Sequence, residues 1–183
     1  MKIKKFFFDN RVKLISINKF QDQRGFFYES FSNKKLNDLE IFEIFVQDNM
    51  SFNKTKGTLR GLHYQQYPKA QSKLINVING SIQDVIVCVD KNSKYYGKHI
   101  SVIMKAQLDE ILYIPEGFAH GFCTLEDNTL INYKVSNYYD PLLEKTILYN
   151  DINLNIEWMI KIDKNKISKK DKMGEKFEII SNV

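Results

Sequence analysis

The stretch from Leu74 to Asp90 constrains the fold of this chain most. Ile75, Val77 and Ile78 lead into Asn79-Gly80, and Ile82, Val85, Ile86, Val87 and Val89 follow it. β-Branched side chains are stiff at χ1 and pack well on a pleated surface, so both runs read as strands. Asn-Gly tolerates positive φ at both turn positions, which predicts a tight hairpin between them. Further strands are expected at 99–105, 110–115, 118–125 and 129–136. Helix signals are confined to Asn33–Leu39, capped by Ser32 or Asn33, and to the charged run that follows Ser168. Three prolines and eight glycines leave no linker-like segment. Short strands with polar turns are the pattern of a sandwich or barrel. The expected fold is therefore an all-β jelly roll with a few short helices, in a single domain over residues 1–183.

Composition excludes several classes of function. Hydrophobic residues make up 43% of the 183, enough for one ordinary core. The richest N-terminal run, Phe6-Phe7-Phe8, is broken at once by Asp9, Asn10 and Arg11. It is too short for a signal peptide or a membrane span, so a cytoplasmic location without membrane partners is expected. Cys88 and Cys123 sit in apolar contexts and read as small buried hydrophobes in a reducing compartment. The net charge of +5 is uneven, because residues 161–176 hold seven lysines and three acids, a net of +4. Apart from Phe177 at the edge, no aromatic or arginine interleaves those lysines, so stacking on bases has no support and no nucleic-acid partner is expected.

The chain has three histidines. One stands in Arg60-Gly61-Leu62-His63-Tyr64-Gln65, with Lys73 close behind; a second lies in Pro115-Glu116-Gly117-Phe118-Ala119-His120-Gly121-Phe122. On a regular strand Gly61, His63 and Gln65 share one face, while Leu62 and Tyr64 take the other. Arg60 and His63 meet only if a bend or bulge intervenes near Gly61. Imidazole titrates near neutrality and is the default general base, and a base needs a carboxylate to fix its tautomer. Asp48, Asp84 and Asp171 are the candidates. A lysine at the position of Lys73 is ordinarily a surface residue; turned inward it would need an anion. Tyr133 is one of ten tyrosines, placed on a late strand from which it could donate a proton across a cavity. His63-Tyr64-Gln65 lacks the second histidine of a His-x-His pair, and no ligand spacing demands a metal.

In order along the chain come Asp22 to Glu29, Phe45 to Asn49, Arg60 to Gln65, Gln71 to Leu74, Tyr96 to Lys98, Ile114 to Phe122, Tyr133-Lys134, Tyr138-Tyr139 and Glu157-Trp158. This series resembles the dTDP-4-dehydrorhamnose 3,5-epimerase family of cupin-fold enzymes, from about residue 10 to about residue 173. The resemblance implies a cupin-type (double-stranded β-helix) barrel, a homodimer, no metal and no organic cofactor. It implies a nucleotide-diphosphate 4-keto-6-deoxy sugar as substrate, inverted at C3 and C5 through an enolate. By position, His63 matches the family's general base, Tyr133 its general acid and Lys73 the residue near the sugar keto oxygen. Arg24, Glu29, Gln47, Asp48, Asn49, Arg60, His120 and Glu144 match substrate-contacting positions, some of which come from the partner subunit in the family. Tyr139 matches the aromatic that stacks on thymine. In Ser168-Lys169-Lys170-Asp171, Lys170 aligns with a substrate contact and Asp171 with the partner of the base, Lys169 being an equally near neighbour. Lys145 stands where the family usually has arginine, and His99 and Tyr113 replace common tryptophans. Three other activities fit the same residues: inversion at C3 or C5 alone, a 3,4-ketoisomerisation, or nucleotide-sugar binding without catalysis.

Overall fold

The computed structural model describes residues 1–178, so 179–183 of the expected domain lie outside the described residues. The chain begins with β1 (Lys2–Phe7), β2 (Val12–Ser16), β3 (Lys19–Asp22), β4 (Gly25–Tyr28) and the short helix α1 (Asn33–Asn37). β5 (Gln47–Asn53), β6 (Leu59–Gln65), β7 (Lys73–Asn79), β8 (Ser81–Cys88) and β9 (His99–Lys105) follow. The series closes with β10 (Glu110–Ile114), β11 (Phe118–Thr124), β12 (Thr129–Val135), β13 (Glu144–Thr146) and the four-residue helix α2 (Lys169–Lys172). Strands fall where the β-branched runs predicted them, and Ser32 and Ser168 cap the two helices through their side-chain oxygens.

Two antiparallel sheets face each other. One runs β1-β2-β10-β7-β12-β5 and the other β13-β6-β11-β8-β9, while β3 and β4 form a separate two-stranded arm. From β5 to β12 the chain passes between the sheets at nearly every step, and only β8 and β9 are consecutive strands that pair with each other. This is the jelly-roll arrangement, and it overturns the hairpin expected at Asn79-Gly80. β7 pairs with β10 and β12, whereas β8 pairs with β9 and β11. Gly80 alone of the two turn residues has positive φ, +80°, and a Cβ there would come within 2.5 Å of Thr129 Oγ1. The glycine makes a sheet-to-sheet corner under the β12 strand instead of a two-residue turn.

Every residue of β8 is buried, since this interior strand is covered on both faces. Ile82, Ile86 and Cys88 point into the sandwich with Ile75, Val77, Leu112, Phe118 and Ile131. Val85 and Val87 point outward beneath the C-terminal segment, against Ile147, Leu154 and Phe177. The outer face of the other sheet is covered by Leu36 and Ile41, which pack on Leu74, Ile111 and Tyr113. Both cysteines are buried and free. Among the described residues no helix is long and apolar enough to cross a membrane.

Candidate active site

The site begins with an irregularity in β6. His63 lies opposite His120 of β11 and Arg60 opposite Phe122, so Gly61 and Leu62 together face Gly121 alone. One extra residue on one strand is a β-bulge, and it returns Arg60 to the face that His63 occupies. Gly61 has φ +116°, and a Cβ there would lie 2.5 Å from Gly121 Cα. The bend that Arg60 and His63 need near Gly61 if they are to meet is present, and it puts both side chains into one cavity. Leu62 and Tyr64 take the opposite face and pack beneath the C-terminal segment.

That cavity, of about 1020 Å³, opens between the sheets beyond the packed core. His63, Arg60 and His120 reach it from the five-stranded sheet, and Lys73 and Tyr133 from the six-stranded one. Tyr139, Glu144, Lys170 and Asp171 complete the wall. His63 Nε2 lies 2.6 Å from Asp171 Oδ1, across a separation of 108 residues. Ser168 Oγ accepts the Asp171 backbone N–H at 3.0 Å, so the N-terminal cap of α2 holds the carboxylate in place. Burial would raise the Asp171 carboxyl, but the hydrogen bond to His63 and that ring's charge hold it below the usual range. The other two candidate aspartates have other partners. Asp84, fully buried, lies 2.9 and 3.0 Å from His120 Nε2 through its two oxygens. Asp48 accepts from Lys134 Nζ at 2.7 Å.

Lys73 is 7% exposed and donates to the His63 carbonyl at 3.0 Å. Burial pulls its pKa down to about 8, against the attraction of Asp84 and Glu144. Desolvation raises the Tyr133 phenol, and the nearby Arg60 charge works the other way. Glu144 would be raised by burial, yet hydrogen bonds from Lys170 and Tyr139 keep its carboxyl low. Tyr139 Oη donates to Glu144 Oε2 at 2.8 Å. Lys170, and not Lys169, lines the cavity.

Not every expected residue converges here. Gln47 and Asn49 hydrogen bond to each other at 2.8 Å on β5, and Gln47 Oε1 accepts the Tyr139 N–H at 3.2 Å, so this pair adjoins the site through Tyr139. Asp48, one step along the strand, is exposed on the other face. Arg24 and Glu29 lie on and just beyond the β3–β4 arm, paired with Asp22 and Lys35 respectively, and neither lines the cavity of its own chain. Ser51, Thr55, Thr58 and Lys166 line the cavity without having been anticipated, as they carry no pattern that separates them from ordinary polar residues. Among the described residues no group of three or more His, Cys, Asp or Glu side chains is placed to hold a metal ion.

The sequence profile of the dTDP-4-dehydrorhamnose 3,5-epimerase family matches residues 10–178. The chain belongs to that family. A dTDP-4-dehydrorhamnose 3,5-epimerase of Shigella flexneri is 45% identical over 159 residues, 86% of each chain. The crystal structure of the dTDP-4-dehydrorhamnose 3,5-epimerase of Bacillus anthracis, with TDP and PPi bound, superposes with a TM-score of 0.91. It is 41% identical and covers 96% of this chain and 98% of that one. The dTDP-6-deoxy-D-glucose-3,5-epimerase of Legionella pneumophila, in complex with dTDP-4-keto-L-rhamnose, gives a TM-score of 0.87. It is 38% identical and covers 94% of this chain and 90% of that one.

Proposed function

We propose that this protein is a nucleotide-sugar 3,5-epimerase that converts dTDP-4-dehydro-6-deoxyglucose to dTDP-4-dehydrorhamnose. The observation that carries the reading is that an imidazole backed by a carboxylate and a phenol enter one cavity from opposite sheets. The C4 ketone acidifies the protons on C3 and C5, because the resulting carbanion delocalises onto oxygen. With Nε2 bound to Asp171, Nδ1 is the His63 nitrogen left to take the proton. Asp171 fixes the ring and stabilises the imidazolium that forms. Lys73, as an ammonium, meets the charge that develops on the ketone oxygen, an interaction of a kind worth roughly 3–4 kcal/mol per donor. Tyr133 returns a proton to the opposite face and so inverts the centre. The substrate's own ketone is the electron sink, so the steps call for no cofactor. Arg60 and Lys170 hold the diphosphate, and Tyr139 stacks on the base.

The active form is a homodimer. Phe20, Phe26 and Phe27 on the β3–β4 arm are 62–66% exposed, and Met50 and Phe52 on the edge strand β5 are 62% and 58% exposed. Two exposed apolar surfaces, the arm and the edge strand, favour burial against a second copy. In that arrangement the arm carries Arg24 and Glu29 to the other subunit's cavity. The whole chain acts as one catalytic domain, and a nucleotide-sugar substrate together with free cysteines fits the cytoplasm.

Incubation with dTDP-4-dehydro-6-deoxyglucose, followed by NMR of the product, tests the reading. Inversion at both C3 and C5 is expected. Inversion at a single centre selects a mono-epimerase, a carbonyl moved to C3 selects a ketoisomerase, and unchanged sugar selects a binding module.

A further inference from the structure

Arg60 is aimed by a residue that no motif singled out. Asn53, the last residue of β5, is 2% exposed. Its Oδ1 accepts Arg60 Nε at 2.8 Å, joining the six-stranded sheet to the five-stranded one beside the cavity. The amide cannot turn over, because its Nδ2 faces Ser51 O at 3.2 Å, Ser51 Oγ at 3.3 Å and Thr129 O at 3.4 Å. Thr129 is directly opposite Asn53 in the β12–β5 pairing, so the two strands set the amide and the amide sets the guanidinium. Among the described residues this is the one hydrogen bond the Arg60 side chain makes, and no carboxylate pairs with it. A guanidinium has five N–H donors in a rigid fork, so holding it by Nε leaves the terminal nitrogens for a ligand.

We infer that Asn53 is a positioning residue for anion recognition: it orients Arg60 towards the substrate diphosphate through a neutral acceptor, so that the full positive charge stays available to the phosphate oxygens. An aspartate of the same shape would give the same Nε contact. It would also cancel the charge and set a carboxylate oxygen against two backbone carbonyls. The inference rests on the reading of Arg60 as a diphosphate contact.

Calorimetric affinity for dTDP and steady-state kinetics on the nucleotide sugar test it in Asn53→Ala, Asn53→Asp, Arg60→Ala and the Asn53→Ala/Arg60→Ala double variant. Asn53→Ala is expected to weaken dTDP about tenfold and to raise KM in proportion, with kcat within about threefold. On the Arg60→Ala background the same change is expected to cost nothing further in dTDP affinity. Asn53→Asp, which keeps the shape, is expected to weaken dTDP as well and to flatten the salt dependence of binding. Wild-type dTDP affinity in Asn53→Ala or Asn53→Asp would overturn the inference. So would an equal loss from Asn53→Ala with and without Arg60, the mark of a merely structural role. Arg60→Ala with unchanged dTDP affinity would instead overturn the diphosphate reading of Arg60.

Discussion

The Lys73 ammonium, buried in the cavity wall with a pKa of about 8, sets function against stability. The unfolded chain holds that proton up to roughly pH 10.4, so it binds more protons than the native state above about pH 8. Stability from this group therefore rises with pH from about 8 to roughly 10.4. Activity that needs the ammonium moves the other way, and kcat/KM is expected to fall as pH rises through about 8. Lys73→Met removes the buried charge and is expected to stabilise the fold by on the order of 2 kcal/mol in urea titration while kcat drops at least ~100-fold. A lower urea midpoint with activity retained would assign Lys73 a structural part only. At this scale the sequence disclosed the cast but not the pairings. His63, Lys73 and Tyr133 stood out by residue type and motif. From the residues alone, the choice among Asp48, Asp84 and Asp171 stayed open, because a partner 108 positions away is fixed by how the chain returns past β6. Asn53 gave no signal, since its role is defined by what Arg60 needs on the neighbouring sheet.

β6 shows how an element can depend on one missing methyl group. Gly61→Ala would place Cβ 2.5 Å from Gly121 Cα and 2.8 Å from the His120 carbonyl, at a φ of +116° that L side chains avoid. Such a change is expected to cost at least ~2 kcal/mol of stability by urea titration and to separate Arg60 from His63, with loss of turnover. Near-wild-type turnover in that variant would mean the bulge is dispensable. The bulge itself was readable as a requirement, because strict alternation cannot bring Arg60 and His63 together without it. Strand positions were also legible, since β-branched runs have little alternative. Strand partners were not. Asn79-Gly80 carries the chemistry of a hairpin, yet β7 and β8 belong to different sheets, because β10, β11 and β12 offer both strands better-placed neighbours. Local turn propensity cannot foresee that choice, which depends on chain still to come.

For the whole molecule the barrel could be anticipated, while the exposed β3–β4 arm, with Arg24 at its turn and away from the cavity of its own chain, is visible only in the fold. Subunit mixing tests whether that arm works in trans. In the proposed homodimer, His63→Ala is expected to be inactive and Arg24→Ala weakly active. After random exchange about half the dimers are mixed and each of those holds one intact site, so roughly a quarter of wild-type activity returns. Failure of activity to rise above the unmixed level would keep Arg24 out of the neighbouring site. Whether His63 takes protons from the carbons beside a ketone is read out by solvent exchange. Wild-type protein incubated with dTDP-4-dehydro-6-deoxyglucose in deuterium oxide is predicted to place deuterium at both C3 and C5, and His63→Ala at neither. Deuterium entering both carbons at the wild-type rate with alanine at position 63 would contradict the account.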